Sequence, residues 1–333
     1  MRASVAGLWE MSRSLSLSIG LVLLVCAPPA TYAASADPQP ITPTPAPSTD
    51  AGGAKAEPPA DQSKTKLDTV TVEAQRERAV LVRRVKKFVS GITQVPFQDS
   101  LAQWENAIPI CFAIAGMTRD YGEFTLNRLS KIAEAAGAPL APDSCKPNFY
   151  VIATAVPDEL VAAWSKHYFW IFGHAGSKKI NDFATASTPI RVWYNVVPYS
   201  ADGTPCSDVS VLVAPGTFEG APICDQLDTH LRWGTVRDLS SVIVLIDTRR
   251  TRGITFDQLA AYIAMVGLAE IRADARVGDA PTILRLFSDS AHAPAEGLST
   301  WDSAYLKALY HTSHSGRTQF LDLGKSMVAE IVP

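Results

Sequence analysis

The sequence predicts an α+β domain: a mixed β-sheet with helices packed on it. Three observations carry this. Segments of helical period lead and close the chain, strand-like segments cluster between them, and one run, 242–247 (VIVLID), is apolar at every position before its last. The resulting order, α-β-α-β-β-β-α-α-α, lacks the strict alternation of a βαβ sheet, so strands of both directions are expected.

Residues 1–33 read as a signal peptide. Arg2 and Arg13 supply positive charge, residues 15–25 form an apolar run, and small residues offer cleavage after Ala33 or Ala36. The signal is complete from Met11 as well as from Met1. Its apolar run falls short of the ~20 residues that a spanning helix needs. Cys26 raises lipid attachment, but Val25 stands where such signals take Gly, Ala or Ser. Membrane contact is therefore expected only if Cys26 is lipidated. Residues 34–66 are rich in Pro, Ala, Thr, Ser and Asp and read as a disordered linker, because they lack the apolar surface to offset ordering. Residues 67–333 are expected to form a single globular α+β domain.

Within that domain, residues 68–75 (DTVTVEAQ) alternate as a short strand and resemble the TonB box of outer-membrane receptors. A basic helix follows over 78–89, with Val82, Val85 and Val89 on one face and Gly91 as its C-cap. Residues 101–117 read as a short helix and then a buried strand or turn. Residues 123–136 form a helix with Leu126, Leu129, Ile132, Ala133 and Ala136 inward, stopped by Gly137. Residues 148–154 (NFYVIAT) are a buried strand. Asp158 caps a helix whose stripe runs Leu160, Val161, Trp164, His167, Tyr168, Ile171. Strands are expected at 189–197, 209–213 and 242–247, with a turn at 200–203. Thr255 and Gln258 match a capping box, opening a helix with Leu259, Tyr262, Ile263 and Val266 inward and Gly267 at its end. Further helices begin at Ser299 and run over 318–331, the latter with Phe320, Leu323, Met327 and Ile331 inward.

Net charge is −3, so no global basic footprint for nucleic acid exists. Arg76 to Lys87 are locally basic, as the solvated face of a helix would be. Cys111, Cys145, Cys206 and Cys224 survive signal removal. An even count in an exported chain suggests two disulfides, and the local pairing Cys111–Cys145 with Cys206–Cys224 is preferred among three. His311 and His314 stand one turn apart at a helix end, where favourable charge explains them more simply than a metal. His167 is expected at a core boundary. Asp247, ahead of Thr248-Arg249-Arg250, reads as an ion pair in a connecting loop.

The helix from Thr255 carries a resemblance. Its spacing resembles the metzincin zinc proteases, whose H-E-x-x-H-x-x-G-x-x-H pattern supplies three metal ligands and a general base. With the pattern's glycine on Gly267, the first two histidine slots hold Ala260 and Ala264, the base slot holds Ala261, and the third ligand slot holds Glu270. A turn at 281–284 puts Leu284 where the family has a methionine. A closing segment, Leu298-Ser299-Thr300-Trp301-Asp302 with Leu306 and Leu309-Tyr310, follows. The chain also resembles exported proteobacterial proteins of unknown function that share this histidine-free frame. The resemblance implies a zincin-like scaffold without a metal site or cofactor, since alanine can neither bind zinc nor activate water. A non-catalytic periplasmic or secreted protein is expected, with a peptide or envelope protein as partner and a degenerate cleft at Ala260, Ala261, Ala264 and Glu270. A metal-independent hydrolase built on Asp247, Glu270 or His292 is the enzymatic alternative. An envelope module using the 68–75 strand is a third. A cleft plugged by Tyr262 or Leu284 would favour a structural role.

Overall fold

The computed structural model describes residues 62–94, 100–173, 175–200, 203–214, 217–223, 236–288, 295–314 and 316–332. The signal peptide, most of the linker, Cys26, Cys224, His174, His230 and His292 lie outside the described residues.

Four strands form the main sheet: β1 (Phe112–Ala115), β2 (Phe149–Thr154), β3 (Ile190–Tyr199) and β6 (Val236–Asp247). Their order is β1-β2-β6-β3, with β1, β2 and β6 parallel and β3 antiparallel to β6. β4 (Ser207–Ala214) and β5 (Thr217–Ile223) pair as a separate antiparallel ribbon. The expected mixed sheet is therefore present, and 242–247 lies inside it. That half of β6 bonds to β2 on one side and β3 on the other. Its alternate residues feed two cores. Val242, Val244 and Ile246 join the larger one, while Ile243 and Leu245 join the smaller one with Val161, Phe172, Phe183 and Trp193. An unbroken apolar run is what a strand buried on both faces requires.

Helices cover both faces. On the larger core lie α1 (Gln62–Ile92), α2 (Arg119–Ala136), α5 (Phe256–Leu268), α6 (Thr300–His311) and α7 (Gly316–Ile331). On the smaller lie α3 (Pro157–His167), a 3-10 turn at Phe169–Phe172 and α4 (Ser177–Thr185). No helix among the described residues is long and apolar enough to cross a membrane.

Several local expectations are corrected. Residues 68–75 belong to α1 and are helical, so they offer no strand. The helix takes in residues 62–66 of the expected linker as well. Leu81, Val85, Phe88, Val89 and Ile92 make its inner face, whereas Val82 is exposed. Gly91 is no C-cap: it lies inside α1, and a Cβ there would collide with the Arg276 carbonyl. Residues 101–109 contain no helix, only a turn before β1. Leu126 is exposed rather than inward, and Thr125 is buried in its place. Asp158 does not cap α3; it pairs instead with Arg191 at 2.5 Å. The α3 stripe ends early, because Tyr168, Phe169 and Trp170 turn outward, and His167 is exposed rather than at a core boundary. The helix α4 and strand β5 are additions the residue pattern did not reveal.

Others hold. Gly137 ends α2 in the left-handed conformation, φ 84°. The expected capping box forms between Thr255 and Gln258, and the helix expected at Ser299 opens with a second one, Ser299 with Asp302. Cys111 and Cys145 are disulfide-bonded, which fits an oxidising compartment. Cys206 is also disulfide-bonded.

Candidate functional site

The resemblance directs attention first to α5. Leu259, Ile263 and Val266 pack beneath the sheet as expected. The slots differ from the expectation of a cleft. Ala260, Ala261 and Ala264 have no exposed surface at all. Tyr262 packs edge-on against Phe287 at 4.9 Å, and Leu284 lies partly buried against the same core. These alanines face packed protein, so no degenerate cleft opens on them. Burial pushes the Tyr262 hydroxyl up to about 12. Glu270 is held by both Nη atoms of Arg237, at 2.8 and 3.2 Å, with each side chain 13% exposed. Its carboxylate is committed to an ion pair.

The end of α5 is built with care for its backbone. A helix leaves its last carbonyls without intrahelical partners, and these are buried. Tyr194 donates to Val266 O (2.6 Å), Trp104 Nε1 to Gly267 O (3.0 Å) and Tyr310 to Leu268 O (2.5 Å). Gly267 lies within the helix and does not end it. A Cβ there would come closer than 3.0 Å to Cζ and Cε2 of Phe149. The glycine lets β2 approach α5. The turn after α5 is anchored by Asp302, which accepts from Thr282 Oγ1 (2.5 Å), Ile283 N (2.8 Å) and Ser299 N and Oγ (3.0 and 2.7 Å). Burial raises this carboxyl, and the four donors pull the other way.

A second constellation gathers at the N-terminal end of β6. Ser100 Oγ lies 3.0 Å from His314 Nε2, and His314 Nδ1 lies 3.0 Å from Glu105 Oε1. Asp238 is 3.6 Å from the same Nδ1, too far for a hydrogen bond, and its Oδ1 is buried without one. Gln103 donates to Glu105 at 2.5 Å and accepts from Gln319 at 3.0 Å. The hydrogen bond from His314 holds the Glu105 carboxyl below its usual range, while burial raises Asp238. A serine, a histidine and a carboxylate in line are the elements of an activated nucleophile. Ser100, however, has no exposed surface, and its Oγ already accepts from Arg237 N at 2.8 Å. The pairing of His311 with His314 does not occur: His311 bonds its own helix at Lys307 O. Among the described residues no three His, Cys, Asp or Glu side chains could hold a metal. Asp247 is bound by Arg249 through N, Nε and Nη2, the expected loop ion pair, and the guanidinium lowers its carboxyl.

The third feature is a groove. β1 is an edge of the sheet. Beside it, Phe112, Ile114, Met117, Gly122 and Leu126 line a pocket of about 240 Å³, whose other walls are Thr118 and the Arg119–Glu123 ion pair. Leu126 (40% exposed) rises along its α2 side, whereas Tyr121 (49%) and Phe124 (43%) meet Phe256 of α5, the former stacked at 4.2 Å. The pocket lies below the ~300 Å³ at which drug-sized ligand sites begin. Its size is that of one side chain, with an apolar floor and a charged rim.

No family model matches the chain, and neither a curated protein nor a solved structure matches it.

Proposed function

We propose that this chain is an exported, non-catalytic binding protein on a zincin-like scaffold, and that it takes an extended apolar peptide along β1. The observation that carries the reading is the pocket between a sheet edge and α2. An added strand would bond to the β1 backbone, and one of its alternate side chains would enter the pocket. Support for the scaffold comes from the order β6, α5, the 3-10 turn Ile283–Arg285 and α6, which follows the expected frame. The filled slots Ala260, Ala261 and Ala264 support a scaffold without zinc chemistry. The signal-like N-terminus and the disulfide support a periplasmic or secreted setting.

The test uses fluorescein-labelled nine-residue peptides that alternate threonine with valine and carry Leu, Phe or Asp at the centre. Fluorescence anisotropy should show binding of the Leu and Phe peptides and not of the Asp peptide. Gly122 keeps the pocket open, since the nearest atom to a Cβ there is Ile114 at 3.9 Å. Gly122→Trp should fill the pocket and abolish binding with the unfolding midpoint retained. Absence of binding by all three peptides overturns the reading.

A serine hydrolase is the second reading, favoured by the Ser100–His314–Glu105 chain of hydrogen bonds. The covered Ser100 opposes it. A fluorophosphonate probe that labels the native protein at Ser100, and not a Ser100→Ala variant, would establish it.

A further inference from the structure

His314 lies between α6 and α7, and its ring reaches the loop that leads to β1. Nε2 faces Ser100 Oγ at 3.0 Å and the Leu101 carbonyl at 3.2 Å. Nδ1 faces Glu105 Oε1 at 3.0 Å and Asp238 Oδ1 at 3.6 Å. A carbonyl oxygen only accepts, and so does an ionised carboxylate. A neutral imidazole has a single N–H and serves one side of the ring, whereas the imidazolium donates on both. Its charge also faces two carboxylates at once. Asp238 is 7% exposed, and its Oδ1 has no hydrogen bond. Burial opposes its ionisation, His314 favours it, and Glu105 opposes it. Among the described residues, the other groups around the ring are neutral or engaged elsewhere. Gln103 and Gln319 are amides bonded to each other, Arg237 turns both Nη atoms to Glu270, and Tyr310 donates its hydroxyl to the Leu268 carbonyl. The bonds that pin the loop lie close by: Arg237 N donates to Ser100 Oγ (2.8 Å), Leu239 N to the Gln103 carbonyl (2.8 Å) and Leu101 N to Gln319 Oε1 (2.7 Å).

We infer that His314 is a proton-operated latch, which when charged holds the 100–105 loop against β6 and the α6–α7 junction, and when neutral lets that loop open. The sign follows from the partners. Below the range in which histidine changes charge, both sides of the ring are bonded. Above it one donor is lost, and Glu105 and Asp238 share a ring that no longer offsets their charges. The latch therefore releases as pH rises. Neither the groove beside β1 nor a nucleophilic Ser100 is needed for it.

The experiment places a thiol on the loop. Ala102 is 2% exposed, so a cysteine there reacts only when the loop opens. The full chain with Ala102→Cys is alkylated with iodoacetamide at about pH 5.5 and about pH 8, on either side of the histidine range. Glu105, which His314 holds below its usual range, is ionised at both. Labelling at position 102 is read by peptide mass, and its rate is divided by that of an unstructured cysteine peptide at the same pH, which removes the effect of thiolate formation. The ratio should rise by about tenfold or more between the two, the size of one hydrogen bond to a charged group. It should stay level for Ala264→Cys, which lies in α5 with no exposed surface. Added to Ala102→Cys, His314→Gln keeps a donor but loses the charge, so the ratio should be high at both pH values. Asp238→Asn removes one of the two carboxylates and should cut the rise to about threefold. A level ratio for Ala102→Cys alone overturns the inference. So does an equal rise at Ala264→Cys, which would mean that the whole domain opens. A full rise in the presence of His314→Gln overturns it as well, and if that variant does not fold, a full rise with Asp238→Asn does so in its place.

Discussion

Replacing a helical glycine by alanine normally stabilises a protein, and at Gly267 the sign should reverse. The methyl group relieves the conformational cost of glycine, a gain of ~0.8–1.0 kcal/mol in a helix interior. Against this stands Phe149, whose ring carbons Cζ and Cε2 would lie within 3.0 Å of the new atom. The ring has no room to retreat. Phe149 is fully buried, Phe112 sits 4.8 Å away on one side, and Trp104 is stacked at 6.1 Å. Trp104 is itself tied to the Gly267 carbonyl. Overpacking costs ~1–3 kcal/mol, and a collision this close with an immobile ring belongs at the upper end. The net expectation for Gly267→Ala is a loss of about 2 kcal/mol. Gly324 is the control. It lies within α7, and nothing stands within 4 Å of a Cβ there. Gly324→Ala should gain up to ~1 kcal/mol. Urea unfolding followed by tryptophan fluorescence measures both. If Gly267→Ala is as stable as the parent, β2 and α5 are not in contact through that glycine.

Ile263→Asp buries an unpaired charge in the larger core and should cost more than ~4 kcal/mol. Ala260→His should cost about 2–4 kcal/mol from overpacking and an unpartnered imidazole, so a retained unfolding midpoint would mean that a groove does open on α5. Removing Cys111–Cys145, a pair 34 residues apart, by Cys111→Ser with Cys145→Ser should destabilise by about 4 kcal/mol in the loop-entropy account, read as a shift in denaturation midpoint without reductant. Glu105 is held below its ordinary range by His314, so its contribution is present above the unfolded value of ~4.3 and is lost as pH falls through the folded value. Glu105→Gln should therefore weaken the protein at pH 6–7 and flatten its stability profile below pH 4, with Asp238, raised by burial, acting in the opposite sense. An unchanged slope in equilibrium unfolding across that range would show that the His314 contact adds nothing.

The parts of the fold legible in the sequence are those governed by local rules. The Thr255 capping box, the helix start at Ser299, the Gly137 stop and the VIVLID strand each declare themselves within a few residues. The failures have a common origin in tertiary choice. Residues 68–75 alternate like a strand, yet they continue the helix whose far end buries Val85, Phe88 and Ile92, and alternation without a sheet to join has little force. Gly91 and Gly267 look like helix stops because glycine serves that purpose often; here each admits a neighbour that lies far away in sequence. The alanine slots were legible as lacking ligands. Whether they bordered a groove depended on the tertiary packing around α5, which leaves all three with no exposed surface and which no spacing rule encodes. The polar cluster was the least legible of all, since Ser100, Glu105, Asp238 and His314 come from distant parts of the chain.

The two halves of β6 live under different conditions. From Val242 to Asp247 the strand is bonded on both sides and feeds both cores; from Val236 to Ser241 it is bonded fully only to β3, with Gln103 as its other bridge partner. Amide exchange in the first half then requires the whole domain to open, whereas the second half can fray with the loop that carries Ser100, Gln103 and Glu105. One strand thus belongs to two cooperative units. A solvent or pH change that loosens the His314 cluster would be felt at one end of β6, while the other end kept time with global unfolding.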